Sequence, residues 1–526
     1  MRQKSAFSLA RMVFIKSAPL LARVGAVAVL PPFLLNGAAA QSIRVPWSGY
    51  GHEAQHDGIA PVASQPLSRI LWQTPVDLKP QYDASGELNI HYGSPLITRA
   101  NTVIVAVKTG ATNGFVVEGL AGATGATHWT LPTDYLLPPH NWTLSFSPAL
   151  TPRNRLYFPG GGGTVFYCDT PDATNGAPAA GQLAFYGLAN YLANTNAYLT
   201  NVFIDTPITS DRYGDIFFGF QVTGPTSLNL QGGIARIDFN GTGTWLAASS
   251  AASDSWISKV TQNCAPALSN DHRTLYVAVD NSSYDYGYLV AVDSRTLAPL
   301  GQVRLKDVAY PTNDDVFSDD MTASPTVGPD GDVYFGVMEY PWNSNHQRGW
   351  LHHFNSTLTQ SKTPGAFGWD ATASVVPASA VPSYHGPSSY LLLTKYNNYP
   401  AAGGDGVNKI AVLDPHDSMT EPVTGATVMK EILTIAGPTP DANYTNNFPN
   451  AVKEWCINSA VVDPFTQSVL ANNEDGKLYR WDLGCNMLTE TNVLTTGVGE
   501  AYTPTVVGVN GVVYAINNAI LFAVGR

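Results

Sequence analysis

Apolar and polar residues alternate along most of this chain in short runs cut by Gly, Pro, Asn and Asp, the period-two pattern of half-buried β-strands. The pattern also recurs as a unit. A small residue and Pro open a strand, a turn follows, and a second strand is rich in Val, Tyr and Phe. Copies run from Ser94 (SPLITRANTVIVAVK), Ser147 (SPALTPRNRLYFPG), Thr206 (TPITSDRYGDIFFGF), Ala265 (APALSNDHRTLYVAV) and Ser324 (SPTVGPDGDVYFGV), with looser ones from Ser374 and Ser459 and a last one from Thr503. Ser147, Thr206, Ala265 and Ser324 follow one another at a constant spacing of 59 residues, which points to a repeat rather than to a sandwich.

Each unit continues into a third strand that ends at a turn, and in the best copies a Trp follows, Trp129 and Trp245. Four short strands per unit is the signature of a propeller blade. The expected fold is all-β, a single propeller of eight blades, with seven as the alternative count. The ending from Thr503 to Arg526 holds only three strands. The segment Ser68 to Leu78, which carries Trp72 and has no partners of its own, is expected to supply the fourth by pairing with Ile520 to Val524, removing two open sheet edges.

The N-terminus changes the picture of where the protein works. Arg2, Lys4, Arg11, Lys16 and Arg23 precede an apolar run from Val24 to Leu35, and NGAAAQS follows. This reads as an export signal over 1–40, then an N-terminal extension over 41–67 and the propeller over 68–526. The expected protein is secreted or periplasmic, without a membrane span after cleavage, and a monomer. Charged residues make up 13% of the chain and the net charge is −12, which argues against a nucleic-acid partner. The isolated cysteines Cys168, Cys264, Cys456 and Cys485 show no zinc spacing and read mostly as buried small apolar residues, with any pairing among them left open.

The third-strand, turn, Gly, Trp pattern, clearest at 119–129 and 236–245, resembles the pyrroloquinoline quinone (PQQ) repeat of the quinoprotein alcohol dehydrogenases. The resemblance implies their eight-bladed fold. It also implies a quinone held against a disulfide of adjacent cysteines and a calcium ion on a Glu, an Asn and an Asp. This chain has no Cys-Cys pair, no local motif for such a trio and no CxxCH haem site. The expectation is therefore no cofactor and no metal, with PQQ and calcium as the alternative.

Loops that enter the innermost strands, and those joining second to third strands, open together around one mouth of a propeller channel. This register selects His91, His140, Trp142, Asp205, Asn263, Asp320, Trp455 and Glu500 from the entering loops, and Trp342, Arg348 and Lys395 from the long connecting ones. Aromatic rings beside amides, carboxylates and cations suit a polar ligand, such as a carbohydrate, or a protein partner. Asp320, Glu339, Glu454 and His346 are the acid/base candidates if the protein is a catalyst. Three readings follow: a binding propeller, a PQQ-dependent dehydrogenase, and a glycan-cleaving hydrolase or lyase, of which the first is preferred.

Overall fold

The computed structural model describes residues 44–82, 86, 88, 91–111, 113–140, 144, 146–282, 284–317, 323–497 and 503–526. Eight antiparallel sheets follow one another as blades, each starting on the repeat that opens with a small residue and Pro. Blade 1 comprises Leu96–Ile97, Thr102–Lys108, Phe115–Ala121 and Thr127–Thr133. The innermost strands of blades 2 to 8 are Ala149–Leu150, Thr209–Ser210, Ala267–Leu268, Thr326–Val327, Ser374–Pro377, Val461–Asp463 and Val506–Val507.

Arg69–Pro75 is the outer strand of blade 8, running antiparallel to Ile520–Gly525 from the pair Arg69 and Gly525 to the pair Pro75 and Ile520. The ring is thus closed by the expected strand. Trp72 is buried against Tyr514 and over the turn of blade 1, where a Cβ on Gly125 would lie 2.7 Å from the indole. Trp129 repeats the arrangement one blade on, its indole N–H donating to the Pro171 carbonyl. At Trp72 and Trp129 the ring is therefore a blade-to-blade contact, whereas Trp245 meets Phe220 of its own blade.

The small residue that opens each unit also has a physical reason. Ser147 Oγ accepts the backbone N–H of Ser94 and Ser324 Oγ that of Ala265, each from the neighbouring blade, and Thr372 Oγ1, two residues before the unit that opens at Ser374, accepts that of Ser324. These hydroxyls satisfy amides that no ladder reaches, in a buried ring where an unpaired donor is costly.

Blade 5 departs from the expected four strands. It has three, Thr326–Val327, Val333–Val337 and Trp350–Phe354. An irregular segment covers the outer edge, with Leu351 and Gly365 exchanging backbone hydrogen bonds. Pro364 lies in that segment and has no N–H to give a ladder.

The extension before the first blade is structural. From Trp47 to Gln65 it weaves under the channel end where the innermost strands finish. It bonds through backbone to Ile97, Leu150, Leu268, Val327, Val375, Val462 and Gly511, which belong to blades 1, 2, 4, 5, 6, 7 and 8. Trp47, Tyr50, Ala54, His56 and Ala60 are buried there. No helix among the described residues is long and apolar enough to cross a membrane.

Candidate functional site

Among the described residues, loops of blades 1, 3, 4, 6 and 7 bring polar side chains to the opposite end of the channel. His91, Asp205, Gln262, Asn263, Asp280, Asp370, Lys395 and Asn458 are all buried around it. Their positions follow from the register. Asp205, Gln262 and Asn263 lie in loops entering innermost strands, and Asp280 ends the second strand Thr274–Asp280 of blade 4. The Asn263 amide donates to the Asp205 carbonyl at 2.9 Å, tying blade 4 to blade 3, and Asn263 adopts a left-handed backbone (φ +63°) that Asn tolerates better than most residues.

Asp205 and Asp280 share one neighbourhood. Burial pushes the Cys264 thiol up to about 12, and the carboxylates of Asp280 and Asp205 add to the shift. Burial, with Asp205 adding to it, also raises the Tyr135 hydroxyl. Two carboxylates are thereby placed near the buried Cys264 thiol, beside Asn263 in the chain. Across the channel Lys395 Nζ lies 3.6 Å from Asp370 Oδ2, a buried ion pair under the Phe367 ring.

The N-terminal segment makes the floor. Tyr50 hydrogen-bonds through its hydroxyl to Thr372 Oγ1 at 2.6 Å and to Asn458 Oδ1. Burial, with Cys264 and Asp370 nearby, holds that hydroxyl well above the usual phenol range. Tyr50 thus reaches from the N-terminal segment to the entering loops of blades 6 and 7.

Not every selected residue faces this space. Trp142, Asp320 and Glu500 lie outside the described residues. His140 turns its ring to the Pro138 carbonyl, and Trp455 is buried edge-on to Tyr479 in the core between blades 6 and 7. Glu339 is buried and accepts the amides of Asn345, Gln347 and Gly349, so its carboxylate holds a loop. Arg348 is paired with Glu421 and Asn345, and His346 with Asn398. Glu454 sits beside Glu474 and Cys456, with the thiol 3.5 Å from Glu474 and 3.8 Å from Glu454. Trp342 is exposed on the rim against Tyr284.

Two residues escaped the sequence reading. Asp280 was accessible in principle, as the last residue of a second strand at the same mouth. Tyr50 carried no signal, because its segment belongs to no repeat. The cysteines form no disulfide, and Cys168, Cys264 and Cys456 are buried while Cys485 is exposed.

No protein-family model and no curated sequence matches the chain. Solved structures do. A europium-containing methanol dehydrogenase superposes with a TM-score of 0.54 at 10% identity, over 90% of this chain and 89% of that one. The quinohemoprotein alcohol dehydrogenase ADHIIG from Pseudomonas putida gives 0.51 at 11%, over 92% and 76%. That of Comamonas testosteroni gives 0.51 at 11%, over 93% and 82%. With its eight blades and its ring closed by an N-terminal strand, this chain has the propeller fold of the quinoprotein alcohol dehydrogenases.

Proposed function

We propose that the protein is an exported recognition propeller whose top-face funnel takes a small polar ligand. The observation that carries this reading is the convergence of buried Asp205, Asn263, Asp280, Asp370, Lys395 and Asn458 above a floor made by Tyr50. Burying that many polar and charged groups costs folding free energy, and functional sites are where such clusters concentrate. Carboxylates, amides and an ammonium together suit a ligand that carries several hydroxyls or a carboxylate. A thermal-shift screen of polyols, sugar acids and short saccharides tests it. A bound compound at about 100 times its Kd stabilises by about 2.7 kcal/mol. The expected outcome is a saturable rise in Tm that Asn263→Ala abolishes; a rise that Asn263→Ala leaves intact places the ligand elsewhere.

A second reading, PQQ-dependent alcohol oxidation, draws support from the oxygen donors. Asp205, Asp280 and the Asn263 side chain are the ligand chemistry of a hard cation such as calcium. Bound there, the quinone would supply the hydride-accepting chemistry, and these three residues would hold its cation. The stacking disulfide has no counterpart, since no cysteine is bonded to another. Uptake of PQQ with calcium, read by absorbance, and reduction of a dye by an alcohol decide between the readings.

A further inference from the structure

Five large aromatic side chains stand exposed on the rim of blades 4 and 5: Trp256 at 54%, Tyr284 at 51%, Tyr310 at 46%, and Tyr340 and Trp342 at 42% each. They come from four different loops, all on the face where the funnel opens. Isolated exposed aromatics are ordinary, and a row of five is not.

Hydrogen bonds and one ring contact tie the loops that carry them to one another. Trp256 donates its indole N–H to Asp285 Oδ2 at 2.9 Å, which sets the ring beside the 284–285 turn. Tyr284 meets Trp342 with ring centroids 5.7 Å apart. Tyr340 is two residues from Trp342, and the amides of Tyr340 and Tyr310 both donate to the buried carboxylate of Asp307, at 2.9 and 2.7 Å.

What lies beneath the rings is rigid and costly. Tyr284 is held at φ +66°, a strained conformation for a bulky residue, by donating its amide to Phe317 O at 2.6 Å. Asn343, His346 and Gln347 are also left-handed, and the buried Glu339 carboxylate clamps that loop through three amides. Two buried acids and a strained backbone therefore keep the rings displayed instead of letting them collapse into the core. Preorganised aromatic faces lose little conformational entropy when a ligand stacks on them.

The polar groups between the rings select the ligand. Asp285, Asp254 and Asp314 are acceptors among the aromatics, and the Arg304 guanidinium, already paired with Asp314, lies 3.6 Å from the Tyr286 ring centroid. Carboxylate acceptors beside flat rings fit hydroxyl donors and C–H faces, and the net charge of −12 disfavours an anionic polymer. We infer that the strip Trp256, Tyr284, Trp342, Tyr340 and Tyr310 is an extended subsite for a neutral oligosaccharide that stacks along the rim toward the funnel. This rests on the top face being the binding face and specifies the ligand class there.

Titrating the mature protein with neutral hexasaccharides of glucose, xylose and N-acetylglucosamine, followed by tryptophan fluorescence and calorimetry, tests the inference. At least one hexasaccharide is expected to bind, with affinity falling tenfold or more in Trp342→Ala and in Trp256→Ala, no change in Phe465→Ala on blade 7, and an unchanged Tm in all three. Binding that survives both Trp variants but is lost in Asn263→Ala overturns the strip and leaves the funnel reading standing. Binding lost only in the Trp variants supports the strip and removes the funnel. No binding of any hexasaccharide at millimolar concentration overturns the strip. Concentration-dependent dimerisation abolished by Trp342→Ala makes the strip an interface between copies and overturns it as well.

Discussion

Trp72 donates its indole N–H to the carbonyl of Gly122 at 3.0 Å, joining the strand that closes the ring to the turn of the first blade. The contact spans the joint between blade 8 and blade 1, and the buried ring fills it. Trp72→Ala removes both the packing and the bond. It is expected to destabilise the protein by roughly 3–5 kcal/mol, read from urea unfolding, and a loss below about 1 kcal/mol would mean the seam does not depend on this side chain.

Tyr50→Phe tests the floor. The phenylalanine keeps the packing and leaves Thr372 and Asn458 without their shared hydroxyl. An expected loss of about 1–3 kcal/mol in unfolding free energy follows from removing the buried hydroxyl's hydrogen bonds. Unchanged stability would show that those groups find other partners.

His56 predicts an acid-sensitive N-terminal segment. Its Nδ1 lies 2.7 Å from the Pro325 carbonyl, so that nitrogen carries the proton, and Nε2 is buried without an acceptor. Burial lowers its pKa from 6.5 to about 4, the Pro325 bond and Asp57 opposing. Between those values the unfolded chain binds the proton and the folded one does not, so stability is present above pH 6.5 and is lost as pH falls toward 4. The full loss is roughly 3 kcal/mol. His56→Leu should flatten this part of the profile of unfolding midpoint against pH, and parallel profiles for the two proteins would reject the assignment.

Glu339→Gln tests the clamp beneath the rim. The carboxylate accepts three amides with two oxygens, whereas an amide side chain offers one acceptor and sets donors against a donor. The expected result is faster hydrogen exchange at Asn345, Gln347 and Gly349, corresponding to about 1–3 kcal/mol, with exchange in blade 1 unaltered.

The repeat alone pointed to eight blades, with seven as the alternative count, and to the closing strand, because a strand's apolar face and its turn residues are local and recur from copy to copy. Ser94, Trp72 and Asp205 could each be placed by counting from a neighbouring unit. Counting fails where a side chain's partner comes from a segment outside the repeat. Trp455 and Glu454 sit one residue apart in a loop selected as the mouth, yet Trp455 turns into the core while Glu454 meets Glu474 and Cys456. Glu339 looked like a free acid and is a loop clamp, since the amides that claim it are arranged by the fold of the 340–349 loop. Only the tertiary structure decided that residues 47–65 close the channel from below. Their backbone groups are satisfied in turn by strands and turns hundreds of residues further along the chain, as the Ala60 amide is by the Val462 carbonyl in the innermost strand of blade 7, and no local pattern encodes a partner at that distance.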